Sequence, residues 1–166
     1  MGVRVLCLRH AESENVVAGV AGALPPAELT PKGRAQAAEA AERLRGAGLT
    51  RIYASTAVRA RQTAAIITHA LGVREVVALE ELVEFGIGRL EGTADPAVRA
   101  RTAAHPGGTV ALVGHVGSLT AGLSVLCRGL GERVWGAPLP HAVPFPVEWD
   151  GRSWRCASWP ALRQDR

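Results

Sequence analysis

Arg9 and His10 stand where an apolar run, Val3-Arg4-Val5-Leu6-Cys7-Leu8, stops and small polar residues, Ala11-Glu12-Ser13, take over. A guanidinium beside an imidazole at the end of a buried strand presents a cation together with a nucleophile-capable ring. Ligands of open α/β sheets bind at such carboxyl ends. A second histidine ends a second apolar run in the same way: Thr109-Val110-Ala111-Leu112-Val113 leads into Gly114-His115. If those two strands are neighbours, His10 and His115 face one crevice.

The elements that must position these residues alternate along the chain. Val3–Leu8 is apolar on both faces, as a central parallel strand requires. Residues 16–28 are rich in Gly, Ala and Pro and read as a long loop. Thr30-Pro31 opens a helix, with threonine at the N-cap and proline at the first helical position. Ala35, Ala38, Ala41 and Leu44 give that helix its apolar stripe, and Gly46 or Gly48 ends it. Arg51–Ala54 forms a second strand. Ser55 or Thr56 caps a second helix, which runs to about Leu71 with Gly72 as its stop.

Val76–Ala78 forms a third strand and Thr109–Val113 a fourth, followed by a helix from about Ser118 to Leu130. Pro146–Trp149 and Ser153–Cys156 flank Asp150-Gly151, a tight-hairpin signal. This order predicts an α/β fold, a three-layer α/β/α sandwich. It has a mostly parallel sheet of about six strands and a C-terminal hairpin, in a single domain over residues 1–166.

Composition narrows the function classes. The chain is 48% hydrophobic and 20% charged, which describes an ordinary globule. Its net charge of +4, carried almost wholly by arginine with Lys32 the sole lysine, mildly favours anionic partners. Basic residues do not cluster and aromatics are few, which argues against nucleic-acid binding. Cys7, Cys127 and Cys156 lack metal-ligand spacing, and Cys7 and Cys127 lie in apolar runs as buried hydrophobes do. Neither a signal-peptide pattern nor an apolar run of membrane-spanning length is present, so no membrane partner is expected. A cytoplasmic location is expected.

Four separated motifs line up in order. They are Leu8-Arg9-His10-Ala11-Glu12-Ser13, the stretch Ala54–Ala64 containing Arg59, the stretch Leu82–Gly92 containing Glu84, and Val113-Gly114-His115. Together with Leu29–Ala37 they resemble the histidine phosphatase superfamily, the phosphoglycerate-mutase-like proteins, over most of residues 1–130. The resemblance implies that His10 accepts the phosphoryl group. It also implies that Arg9, Arg59 and His115 bind phosphate and that Glu84 is the general acid. Ser13 is a candidate hydroxyl contact to the phosphate, while the place of Asn15 in the motif leaves its role open.

The chemistry agrees with those roles. Phosphoryl transfer needs an in-line attacker and fixed positive charge around the equatorial oxygens. Arginine forks match phosphate oxygens better than a lysine point charge. Arg59 falls in the first turn of a helix, where free N–H groups favour an anion. An alkoxide leaving group needs a proton, and partial burial near a dianion raises a glutamic acid's pKa toward that task. Neither a metal nor another cofactor is called for.

Each residue also has a plainer reading. His10 or His115 alone would be a hydrogen-bonded strand-end histidine, Arg59 a partner of a surface carboxylate, and Glu84 a solvated loop acid near Glu80, Glu81 and Glu91. His69, His105 and His141 read as surface or loop residues outside the site.

Two departures from the family pattern matter. Ala11 replaces the usual glycine, so either the turn tolerates an ordinary backbone or the motif belongs to an alanine-bearing branch. Only 22 residues separate Gly92 from His115, so the 93–108 connection is short. It marks either a compact, open-sited enzyme or a chain lacking a mobile segment. An open site admits water, which favours hydrolysis over a mutase reaction.

The expected function is therefore a metal-independent phosphatase acting on a small phosphorylated metabolite through a phosphohistidine on His10. A protein phosphohistidine phosphatase, a phosphoglycerate mutase and a non-catalytic phosphate-binding module are the alternatives. Exposed tryptophans near the C-terminal hairpin are candidates for a homodimer contact.

Overall fold

The computed structural model describes residues 2–20, 26–83, 107–127 and 129–162. Glu84 and nearly all of the 93–108 connection lie outside them. The strands are β1 (Val3–Arg9), β2 (Leu49–Ser55), β3 (Val76–Leu79), β4 (Thr109–Gly114), β5 (Phe145–Trp149) and β6 (Trp154–Arg155). The helices are α1 (Glu14–Val17), α2 (Pro31–Leu44), α3 (Val58–Leu71) and α4 (Val116–Leu126).

One six-stranded sheet runs in the order β3-β2-β4-β1-β5-β6. β1, β2, β3 and β4 are parallel, and β5 and β6 return antiparallel at one edge. The expected three-layer fold is what forms. β1 pairs β4 with Arg9 opposite Gly114, so the two histidine-bearing strands are adjacent.

The two sheet faces carry separate cores. Leu6, Leu8, Ile52, Ala54, Ala111 and Val113 meet α2 and α3 on one face. Val5, Cys7, Leu112, Leu119, Leu123, Phe145 and Trp159 fill the other. Burying these side chains at ~25 cal/mol per Å2 of apolar area is the main force closing both layers.

Local signals explain most boundaries. Thr30 caps α2, its hydroxyl accepting from Gly33 N–H at 3.0 Å, with Pro31 following. Gly72 ends α3 in the left-handed conformation at φ 66°. The Asp150-Gly151 hairpin forms as expected, with Gly151 at φ 97° and Asp150 Oδ1 accepting from the Arg152 and Ser153 N–H groups.

Several expectations change. The buried stripe of α2 is Gly33, Ala37, Ala40, Ala41 and Leu44, while Ala35 and Ala38 are exposed. Gly33 fixes that rotation: a Cβ there would lie 1.9 Å from the Glu12 carbonyl oxygen. Part of the presumed loop begins one residue-pair earlier as the single turn α1. α3 is capped by neither Ser55 nor Thr56 but starts after Ala57. α4 begins at Val116, with His115 N–H donating to Ser118 Oγ at 3.3 Å, and ends at Leu126, short of Leu130.

The hairpin tryptophans are not exposed either. Trp154 and Trp159 are buried, because β6 bridges to Cys127 and the Trp159 indole donates to Ala137 O at 2.7 Å. Among the described residues Trp135 is the exposed tryptophan. No described helix is long and apolar enough to cross a membrane.

Candidate active site

Adjacent parallel strands bring His10 and His115 together at the carboxyl edge of the sheet. His10 N–H donates to Gly114 O at 2.9 Å, continuing the β1–β4 ladder by one residue. The two imidazoles meet edge to face, with centroids 5.0 Å apart. β2 exits beside β4, and the first turn of α3 delivers Arg59 between the two rings. Arg59, His10 and His115 are 2%, 3% and 0% exposed, an unusual density of buried polar groups.

Hydrogen bonds link these groups and set the tautomers of the two histidines. His10 Nδ1 lies 2.7 Å from Ala11 O. A carbonyl only accepts, so Nδ1 carries the proton and Nε2 keeps its lone pair. Arg59 Nε–H donates to that lone pair at 3.2 Å. Arg59 Nη2 donates to His115 Nδ1 at 3.3 Å, which leaves the His115 proton on Nε2 to reach Ser55 Oγ at 2.8 Å. A buried chain thus runs from Ser55 through His115 and Arg59 to His10.

Burial, with Arg59, Arg9 and His115 nearby, holds the His10 pKa down to about 2. Burial and the two arginines lower His115 to about 3. Burial also lowers His141, with Arg9 acting in the same direction. The imidazoles are therefore neutral at neutral pH, and the arginines carry the positive charge. A neutral ring with an unprotonated Nε2 is a nucleophile, while its imidazolium is not. Among the described residues no group of three or more His, Cys, Asp or Glu forms a metal-holding cluster. The convergence of arginine with histidine suits an anion instead.

The loop after His10 is seated on α2. The Glu12 carboxylate accepts from Thr30 Oγ1 and Lys32 Nζ, each at 2.9 Å, and these bonds lower its pKa. Ser13 is fully buried, and its hydroxyl donates to Asn15 Oδ1 at 2.7 Å. Ser13 and Asn15 are thus engaged with each other within the loop. Ala11 has no positive φ, since Ala142, at 53°, is the one described non-glycine residue that does. The turn after His10 therefore accepts alanine without strain.

The structure brings Arg9, His10, Arg59 and His115 to one edge, with Arg9 Nη1 donating to Leu139 O at 3.1 Å. Glu84 is outside the described residues. Three participants escaped the sequence reading. Ser55, which the sequence offers only as a helix cap, pairs with His115. Thr63 accepts from Ala11 N–H at 3.0 Å and donates to Arg59 O at 2.8 Å. His141, expected outside the site, donates from Nδ1 to His10 O at 2.9 Å, with its ring centroid 5.6 Å from that of His10. A histidine after proline in an aperiodic stretch carries no sequence signal of that contact.

Known proteins resemble this chain in sequence and in shape. The model of the histidine phosphatase superfamily, branch 1, matches residues 5–103. A Schizosaccharomyces pombe protein named a probable phosphatase is 39% identical over 89 residues, 53% of this chain and 31% of its own. A Thermoplasma acidophilum 2,3-bisphosphoglycerate-dependent phosphoglycerate mutase is 35% identical over 88 residues, 52% of this chain and 44% of its own. The matched stretch thus spans less than half the length of either relative. Bacillus stearothermophilus YhfR superposes with a TM-score of 0.83 at 22% identity, covering 97% of this chain and 98% of that one. This last likeness is one of fold.

Proposed function

The chain belongs to the histidine phosphatase superfamily, and we propose that it is a phosphatase hydrolysing a small-molecule phosphomonoester through a phosphohistidine on His10. The observation that carries the reading is the state of His10: buried, neutral, with Nδ1–H held by Ala11 O and Nε2 facing the Arg59 guanidinium.

An arriving phosphate oxygen takes over the Arg59 Nε–H donor and frees the His10 lone pair. Nε2 then attacks phosphorus in line, and the bond from phosphorus to the leaving oxygen breaks. Arg9 and Arg59 supply fixed positive charge as negative charge gathers on the equatorial oxygens. Glu84, from its place in the motif, protonates the leaving oxygen. It then accepts a proton from the water that attacks the phosphohistidine, breaking the N–P bond and restoring His10.

A panel of phosphomonoesters assayed in chelator tests the reading. We expect turnover without added metal and an acid-labile phosphoenzyme, both lost in His10→Ala. Undiminished turnover in that variant, or an absolute need for added metal, defeats the proposal. A Glu84→Gln variant should suffer far more on poor leaving groups than on good ones.

The Thermoplasma relative supports a second reading, a phosphoglycerate mutase. Interconversion of 2- and 3-phosphoglycerate that outpaces their hydrolysis would establish it in place of the first.

A further inference from the structure

The stretch Leu139–Ala142 holds the end of β1 at three points. Leu139 O accepts from Arg9 Nη1 at 3.1 Å, Ala142 N–H donates to Arg9 O at 3.0 Å, and His141 Nδ1–H donates to His10 O at 2.9 Å. Ala142 has φ 53°, a left-handed backbone that an L side chain disfavours. Such conformations persist where the surroundings impose them. Here the left-handed residue follows His141 directly, at the point where the chain bridges Arg9 and the His141 imidazole lies beside His10.

The peptide joining His10 to Ala11 is consequently gripped at both polar atoms. His141 holds its carbonyl, and Thr63 Oγ1 holds its N–H. The next carbonyl, Ala11 O, is the acceptor that keeps the proton on His10 Nδ1 and the lone pair on Nε2. Rotation of the gripped peptide would swing Ala11 O away from Nδ1. It would then release both the ring orientation and the tautomer.

We propose that His141 is a positioning residue for His10: its Nδ1–H clamps the His10–Ala11 peptide, and through Ala11 O it fixes the His10 ring with Nε2 presented as the nucleophile. This inference rests on reading His10 as the nucleophile. His141 acts through the backbone, comparable to the outer partners that orient metal-ligating histidines, whose loss typically costs roughly 10–100-fold in affinity or activity.

The test compares His141→Leu, which removes the donor, with His141→Asn, whose side-chain amide replaces it. The readouts are 15N chemical shifts of the His10 ring in the full chain and kinetics on p-nitrophenyl phosphate. In His141→Leu we expect His10 to lose its single Nδ1–H tautomer and kcat to fall about 10–100-fold. KM should stay within about twofold, because Arg9 and Arg59 are untouched. His141→Asn should restore both readouts. If leucine prevents folding, His141→Ala carries the same comparison.

An unchanged His10 tautomer in the donor-less variant overturns the clamp, as does an asparagine variant that behaves like leucine. A shifted tautomer with undiminished kcat overturns the positioning role. If no phosphomonoester is turned over at all, the tautomer comparison still decides the clamp, so failure of the phosphatase reading is seen separately.

Discussion

The two faces of the sheet are built from different materials. On the face covered by α2 and α3, nine of the sixteen buried residues in the described core are alanine, among them Ala37, Ala40, Ala41, Ala60 and Ala64. On the opposite face one alanine accompanies Leu119, Leu123, Leu139, Phe145, Trp154 and Trp159. Small side chains let helix backbones approach their neighbours closely, and Gly33 against the carbonyl of Glu12, in the loop after β1, is the extreme of that approach. α3 carries Arg59 and Thr63 next to Ala60 and Ala64, so the tight face is the one that delivers site residues to His10. The bulky face supplies apolar area. Precision and stability are thus unevenly divided between the layers.

The largest expected effect lies in the chemistry that the tight face positions. His10→Ala should cost roughly 10^4-fold or more in kcat, as loss of a nucleophile does, with the fold retained by circular dichroism. On the bulky face, Phe145→Ala should destabilise by about 3–5 kcal/mol in denaturant melts. The kcat of its folded fraction should stay near that of the parent. A collapse of kcat there would show that the two faces are not separable.

Acid should weaken the site's contribution to the fold. His10 and His115 have folded pKa values lowered to about 2 and about 3 from 6.5. Their stabilisation is complete above pH ~6.5 and is lost as pH falls, because the unfolded chain takes up protons that the folded chain refuses. Each group should remove ~1.4 kcal/mol per pH unit below that point. Denaturant melts from pH 7 to pH 5 should show this slope, and a His10→Gln/His115→Gln double variant should flatten it by about two protons. An unaltered slope would contradict neutral burial.

The sharpest contrast comes from Ala64→Leu, which overpacks the tight face at about 1–3 kcal/mol. Its stability loss should be smaller than that of Phe145→Ala, yet its loss of kcat should be larger, because α3 must shift and carries Arg59 with it. Equal kcat in the two variants would remove the distinction between the faces.

Much of this arrangement was legible along the chain. Arg9, His10 and His115 end apolar strands, and Arg59 falls in a first helical turn, so local pattern alone places each at the carboxyl edge of the sheet. The α2 stripe differs from the expected one because alanines fall on both its buried and its exposed faces, Ala37, Ala40 and Ala41 on the one and Ala35 and Ala38 on the other, so apolar identity alone does not choose between them. The exposed-tryptophan expectation failed because burial of Trp154 and Trp159 depends on Cys127 and Ala137, residues distant in sequence. Ser55, Thr63 and His141 were missed for the same reason: their partners lie 60, 52 and 131 residues away.

The sequence by itself determined the element order, the strand-end histidines and the arginine in the helix turn. Those follow from short-range periodicity, capping and the chemistry of a few side chains. Tertiary structure decided which ring nitrogen of His10 holds the proton, which face of α2 is buried, and that His141 stands against the His10 carbonyl. Those outcomes depend on the three-dimensional meeting of β1, α3 and the 139–142 stretch, and hydrogen bonds between such distant segments leave no periodic trace in the chain.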